Sequence, residues 1–471
     1  MQIDSPAKNH SRYIKNFYDL QVNPLNYFAL GYRKILARYF NLILPRESNV
    51  LEVGCGQGYL LSLLNVKNKV GLDISQTQVD KARINHPEIT FYCQSGEQFR
   101  SDEKFDYIII SDTVNISSDV QEMFTKLKKV SHCRTRLILN FHSSLWRPIH
   151  SLSTLLGVKT KQPQYNWLTV HDINNLLYLA GWEVIKNQAR IIFPIYILGI
   201  ESVLNKILAP MIPWLCLTNF CIARKIKKRN KVSYSVSILI PARNEAGNLE
   251  NGIRRIPVFG SHQEIIIVEG NSTDNTWEVV QKISKIFPEK DIKILQQSGK
   301  GKGNAVREGF DLATGDILII LDADFTMPPE ELPKYYDVLE NGLGDFANGV
   351  RLVYPMDDKA MRFLNLCANK FFGIIFSWLL GQNVRDTLCG TKALLRLDYL
   401  KIVENRSYFG DFDPFGDFDL LFGADKLNLK ITDIPIRYKD RTYGETNISR
   451  FQHGILLLRM VFFAAKKLKF V

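Results

Sequence analysis

Two carboxylates separated by a single residue, Asp322 and Asp324, close an apolar run that begins at Asp316. Like charges so close are costly unless a cation sits between them, and a pair of carboxylates plus substrate phosphate oxygens suits Mg2+ or Mn2+. Ahead of them Gly299, Lys300, Gly301, Lys302 and Gly303 make a basic glycine loop before a helical stretch. Lysines and free amides at a helix start favour a diphosphate. The Gly-Lys-Ser/Thr of a P-loop is absent. Pro241, Asn244 and Glu245 end an apolar strand, where an acid and an amide can contact a nucleotide base, and Glu269 and Asp274 follow the next strand into a capped helix. Asp417 and Asp419 form a further acidic pair. Either can act as base on a hydroxyl acceptor or position an already ionised one, the alternative being solvated helix acids.

A second constellation lies nearer the start. Glu52 is followed by Gly54, Gly56 and Gly58, which let the backbone turn tightly and approach a ligand closely. Asp73 ends the next strand, where a carboxylate can accept both hydroxyls of a ribose. A dinucleotide fingerprint requires Gly-x-Gly-x-x-Gly, and position 59 is Tyr59. His142 follows a later strand, where it is a candidate base or a structural histidine.

The elements that must hold these residues alternate. Before the seam, strands are predicted at 49–53, 69–73, 89–93, 105–110, 136–140 and 182–192, with helices from Gly58 and from Val79 to Asn85. After it, strands are predicted at 236–240, 264–268, 292–295 and 316–321, with helices at 276–286 and 303–313. Such βαβ alternation predicts parallel sheets with helices on both faces. The seam is a basic run, Ala223 to Lys231, read as a solvated linker or a patch for anionic lipid. The division expected is 1–223, a linker 224–235, and 236–471. A length of 471 residues agrees with more than one core.

The spacing of Glu52, Gly54, Gly56 and Gly58 resembles motif I of class I S-adenosylmethionine-dependent methyltransferases over roughly residues 30–223. That likeness implies a Rossmann-like α/β domain in which Glu52 and the three glycines shape the cofactor site and Asp73 holds the ribose. The family's acid after the third strand is loosely filled by Glu97, and His132 to Thr135 replace its usual Pro and Gly turn. In the second half, the ordered motifs at 241–245, 269–276, 299–303 and 322–324 closely resemble family-two glycosyltransferases of the GT-A fold. Within these the likeness is to polyprenyl-phosphate sugar synthases such as dolichyl-phosphate mannose synthases. It implies a nucleotide-sugar site of Pro241, Asn244, Glu245, Glu269, Asp274, Lys302, Asp322 and Arg441, with metal on Asp322 and Asp324. Thr326 stands where the family often has Gln. Asp386 to Lys392 resembles the segment beside the sugar, Asp417 or Asp419 lies near the acceptor, and Asp440 to Asn447 resembles a closing loop whose Arg contacts phosphate, with Asn447 in place of Lys.

Composition sets bounds on this reading. Hydrophobic residues are 46% and charged residues 23%, which argues against extensive disorder, and the net charge of +12 favours anionic partners. Seven cysteines without a Cys-x-x-Cys pair argue against a disulfide framework or structural zinc and point to a reducing cytosol. No apolar leader is expected at the start. The stretches 191–223, 363–381 and 455–465 are each interrupted by charged or polar residues or by prolines, so none is expected to span a membrane. Lys370 to Leu380 and His453 to Phe470 read as core helices or, with Lys466, Lys467 and Lys469 at the end, as interfacial helices on an anionic membrane.

The expectation is a bifunctional transferase at the inner face of the cell membrane. It moves a sugar from a nucleoside-diphosphate donor, with inversion as the family implies, to a polyprenyl-phosphate or glycan acceptor, and a methyl group from S-adenosylmethionine. The alternative keeps the glycosyltransferase and makes the first domain a non-catalytic docking module. Nucleic acid is not an expected partner.

Overall fold

The computed structural model describes residues 6–21, 26–155, 163, 166–197, 199–227, 233–354, 363–406, 416–441, 443–444 and 450–470. The chain divides into two compact units, residues 1–226 with 469–471, and residues 227–468.

The first unit is a seven-stranded sheet of β1 (Asn49–Val53), β2 (Asn68–Asp73), β3 (Thr90–Cys93), β4 (Phe105–Ser111), β5 (Ser131–His142), β6 (Trp182–Ile191) and β7 (Thr218–Lys225). Their order is β3-β2-β1-β4-β5-β7-β6. The period of two in the apolar strands decides which core each residue enters. Along β4, Ile108 and Ile110 pack with Phe124 and Leu127 on one face, while Ile109 packs with Leu36 and Phe40 on the other. The helices Val120–Leu127 and Tyr27–Ile43 supply those partners. Trp182 is fully buried and its indole donates to the Phe124 carbonyl at 2.8 Å.

The second unit repeats the scheme with β8 (Val236–Ala242), β9 (Gln263–Glu269), β10 (Asp291–Gln296), β11 (Ile317–Ile320), β12 (Phe346–Val350), β13 (Lys392–Leu395) and β14 (Ile431–Pro435). The order is β10-β9-β8-β11-β13-β12-β14. In both sheets the chain runs outward from a first strand and returns to its other side, at β1/β4 and at β8/β11. Ligands of open α/β sheets bind in the crevice at such a reversal, beyond the strands' C-terminal ends.

Neither sheet is purely parallel, as the alternation predicted. β7 is antiparallel to both β5 and β6, and β13 is antiparallel to both β11 and β12. Both strands are short or follow irregular stretches, so no helix-length crossover announces them. The start of the seam also differs from its reading as a solvated linker, while 228–232 lie outside the described residues. Arg224 and Lys225 belong to β7, and the fully buried Arg224 donates from Nε and Nη2 to Glu183 Oε2 at 3.0 and 2.9 Å. The apolar stretch 191–223 becomes short helices and β7. No helix among the described residues is long and apolar enough to cross a membrane.

Candidate active sites

At the β1 end the chain turns through Gly54, Gly56 and Gly58, all with φ between 52° and 78°. A side chain at Gly54 would collide with Thr113, whose hydroxyl donates to the Val53 carbonyl at 3.1 Å. A Cβ at Gly56 would meet nothing within 4 Å, so the turn faces open space there. Asp73 fixes the turn: one carboxylate oxygen accepts the Gly56 N–H at 2.8 Å and the other the Ser75 N–H at 2.9 Å. Each oxygen keeps a second lone pair for a ligand hydroxyl.

Glu52 is buried, and its Oε2 has no hydrogen-bond partner among the described residues. Burial pushes its carboxyl up to about 7, with Arg33 opposing and Asp73 adding to the rise. A buried acceptor left open beside a glycine turn fits a cofactor that brings its own donors or positive charge. The helix Pro6–Asp19 touches the same edge at two places: Asp19 accepts from the Ser75 hydroxyl at 2.6 Å, and the Ser11 and Ser118 hydroxyls lie 2.6 Å apart. Glu97 accepts from the hydroxyls of Ser117 and Ser118 at 3.0 and 3.1 Å.

His142 ends β5 and is buried, stacked on Tyr32 with ring centroids 6.2 Å apart. Its Nδ1 lies 3.8 Å from Asp112 Oδ1. Asp112 follows β4 in the left-handed region at φ 57° and accepts from Asn140 at 2.7 Å, while Arg33 stands 3.7 Å from its other oxygen. Arg33, Asp112 and Asn140 escaped the motif reading. The one signal was the position of Asp112 just past an apolar strand.

In the second unit β8 and β11 bring the sequence-assigned residues to one crevice. Asn244, at φ 57°, accepts the Thr273 N–H at 2.9 Å, and Glu245 donates its N–H to the Thr276 hydroxyl at 3.0 Å. Asp274 accepts from the Thr276 N–H and hydroxyl at 3.0 and 2.5 Å, and Glu269 accepts the Ser272 N–H at 2.6 Å. Glu269 and Asp274 therefore build the loop after β9. Pro241 lies within β8, paired with Val268.

Asp322 and Asp324 each meet a cation of the protein. Lys302 Nζ is 2.6 Å from Asp322 Oδ1, and Arg441 spans from Asp324 Oδ2 at 2.8 Å to Glu245 Oε1 at 3.0 Å. Burial works to raise the Asp322 carboxyl, and Lys302, Lys392 and Arg351 outweigh it, leaving it below the usual carboxylate range. Thr326 donates its N–H and hydroxyl to Asp324 Oδ1 at 3.2 and 2.9 Å, so it orients that carboxylate. Gly390 is required by proximity: a Cβ there would strike Asp322 Oδ2 and Lys302 Nζ. Two hard carboxylates bordering the crevice would suit a divalent cation completed by diphosphate oxygens once Lys302 and Arg441 turn from them to the diphosphate. No group of three or more His, Cys, Asp or Glu poised for metal occurs among the described residues.

The remaining assignments separate. Asp419 is buried and accepts from Arg406 Nε at 2.9 Å, an ion pair that already occupies the carboxylate. Asp417 opens the helix Asp417–Lys426; its side chain, like Asn447, lies outside the described residues. The helix begins beside the lysine loop, since a Cβ on Gly416 would lie 2.8 Å from Gly303 Cα. The motif reading missed Arg351, which donates from Nε and Nη2 to the fully buried Asp386 at 2.8 and 2.9 Å, and the depth of the buried Lys392.

Residues 45–188 match the family model described as a methyltransferase domain, and residues 237–402 match glycosyl transferase family 2. A dolichol-phosphate mannosyltransferase of Pyrococcus furiosus is 41% identical over 120 residues, 25% of this chain and 33% of that protein. The chain thus spans about a third of that relative's length. The glycosyltransferase AglJ of Haloferax volcanii is 29% identical over 234 residues, 49% of this chain and 72% of that protein. A SAM-dependent methyltransferase structure from Thermotoga maritima aligns at a TM-score of 0.34 and 16% identity, over 46% of this chain and 97% of that one.

Proposed function

We propose that this chain, in which a methyltransferase domain is joined to a family 2 glycosyltransferase domain, is a bifunctional transferase. The second domain moves a sugar from a nucleoside diphosphate to a lipid-phosphate or glycan acceptor, with inversion and with a divalent cation. The first domain transfers a methyl group from S-adenosylmethionine. The observation that carries the glycosyl half is the pairing of Asp322 with Lys302 and of Asp324 with Arg441 at the β11 edge.

The residues divide the work. Asn244 and Glu245, beyond β8, face the nucleotide. Lys302 and Arg441 are long cations that can swing from the carboxylates to donor phosphates. A divalent cation bound by Asp322 and Asp324 would supply Lewis-acid neutralisation of the leaving diphosphate. A phosphate acceptor needs no base, and for a hydroxyl acceptor Asp417 remains the candidate, because Arg406 holds Asp419. In the first domain Gly54, Gly56, Gly58 and Glu52 shape the cofactor pocket, Asp73 takes the ribose, and His142, beside Asp112, receives an acceptor proton on this reading.

The acceptor class is supported by the named activity of the Pyrococcus relative and by two exposed apolar faces. Phe371, Ile374 and Trp378 on the helix Phe363–Leu380, and Ile455, Leu458 and Phe462 on the helix Arg450–Leu468, repeat at helical spacing. Lys466 and Lys467 flank the second face. Lys469, expected in that cluster, is buried. Peripheral contact with the inner face of the cell membrane follows from this reading.

The test incubates purified protein and Mn2+ with UDP-, GDP- and dTDP-sugars, with and without polyprenyl phosphate, and follows nucleotide release by mass spectrometry. Lipid-dependent release that disappears in the Asp322→Ala, Asp324→Ala double variant is expected. Release that is indifferent to lipid would overturn the polyprenyl acceptor.

A further inference from the structure

One helical run in the first unit is built inside out. It comprises Ile200–Val203, a π turn Leu204–Leu208, and Ala209–Met211. Two of its polar residues point into the protein. Glu201 is buried and accepts from Arg38 Nη1 at 2.7 Å. Asn205, also buried, accepts the N–H groups of Ile192 and Phe193 at 3.0 and 2.9 Å and donates to the Phe193 carbonyl at 2.8 Å. The residues left facing outward are Ile200, Val203, Ile207 and Met211, spaced three, four and four apart, and all are exposed. Trp214 follows, 69% exposed.

A second apolar face adjoins this one. The helix Arg147–Leu155 exposes Ile149 and Leu152, and the Trp146 indole just before it donates to the Leu215 carbonyl at 2.9 Å. Both segments spring from the strand edge that carries His142. The Ser143 N–H donates to the Leu217 carbonyl at 2.7 Å, and His142 pairs with Thr218 across β5 and β7. Exposed apolar side chains gathered on adjoining segments of a folded unit mark a place that something covers.

Charge selects the occupant. Across 143–155 and 199–215 the sole acid is Glu201, turned inward, while Arg147 is exposed and Lys206 is half-exposed. A second copy of the chain would bring like cations to the same face. An anionic bilayer offers the opposite charge at the headgroups and hydrocarbon just below, and exposed tryptophan is suited to that boundary. We propose that this face seats the methyltransferase unit on an anionic lipid bilayer, so that the β5 end carrying His142 lies at the headgroup level and its methyl acceptor is carried on a lipid. The acceptor half rests on the methyl-transfer reading above; the docking half stands without it.

The experiment starts from the full chain carrying Phe371→Glu, Ile374→Glu, Trp378→Phe, Leu458→Glu and Phe462→Glu, which removes both apolar contacts proposed for the second unit. Vesicles of phosphatidylglycerol and phosphatidylcholine with brominated acyl chains are added, and tryptophan quenching is read with and without Trp214→Phe. Flotation is compared with and without Ile207→Glu and Met211→Glu, while titration with S-adenosylmethionine reports that the unit is folded. Expected are quenching that largely disappears in Trp214→Phe and vesicle affinity reduced about tenfold by the glutamates, with cofactor affinity unchanged. Equal quenching with and without Trp214, or flotation indifferent to the glutamates, overturns the docking. So does a solution dimer that the glutamates dissolve. For the acceptor, methyl-labelled cofactor is supplied with vesicles bearing a polyprenyl-phosphate sugar or with methyl α-mannoside in water. Label confined to the lipid extract is expected. Label entering the soluble sugar equally overturns the lipid-borne acceptor while methyl transfer stands. Label in neither overturns the acceptor assignment together with methyl transfer, and docking is then decided by the quenching alone.

Discussion

At the scale of single residues, both sites are held by carboxylates in unusual surroundings. Burial lifts the Glu52 carboxyl from 4.5 to about 7. A carboxyl raised in the folded state favours folding fully below its unfolded value and loses that contribution as pH climbs through the folded one. The cofactor-free methyltransferase unit should therefore lose about 3 kcal/mol between pH 4.5 and pH 8. Scanning calorimetry of wild type and Glu52→Gln checks this: the substitution should flatten the pH slope, and an unaltered slope would refute the assignment. At Gly390 the neighbours are the flexible tips of Asp322 and Lys302, so Gly390→Ala should leave the fold intact and spread the pair. About a tenfold rise in the Mn2+ concentration needed for half-maximal nucleotide release is expected, with Tm little changed. A large fall in Tm would mean that the glycine serves packing instead.

At the scale of elements, β1 to β5 and β8 to β11 were legible because each is an apolar run bounded by turn residues. β1, β2, β8 and β9 end where the chemistry begins, and the glycine and acid motifs sit at those ends for that reason. β6 was read as well, but β7, β12, β13 and β14 escaped. β7 lay within a stretch whose apolar character suited a helix or a span equally well, and β13 is four residues inside a segment dominated by its motif. Buried ion pairs were equally hidden, since Arg351 meets Asp386 only through the fold. That pair joins the residue after β12 to the approach to β13, and it is bidentate and fully buried at the acid. Breaking it with Asp386→Asn strands a buried guanidinium and should lower the stability of the second unit by about 3 kcal/mol, read as a shift in its thermal transition. A shift below about 1 °C would show that water reaches Arg351.

At the scale of the whole molecule, each unit has its own sheet, core and crevice. Ligands should therefore move separate transitions in calorimetry. S-adenosylmethionine at a hundred times its Kd stabilises its unit by about 2.7 kcal/mol, and Mn2+ with a nucleoside diphosphate should shift the other. A single transition displaced equally by both would contradict this. The bridging of Glu245 and Asp324 by Arg441, and of Asp322 by Lys302, has a consequence for how the donor enters. On the proposed function, the crevice would act as an ion exchanger. An incoming diphosphate competes with the protein's own carboxylates for the two cations, and every cation it draws away liberates a carboxylate for the metal. Donor and metal binding must then reinforce one another by equal factors. Calorimetric titration should find Mn2+ bound about tenfold more tightly when nucleoside diphosphate is saturating, and the diphosphate tightened by the same factor when Mn2+ is.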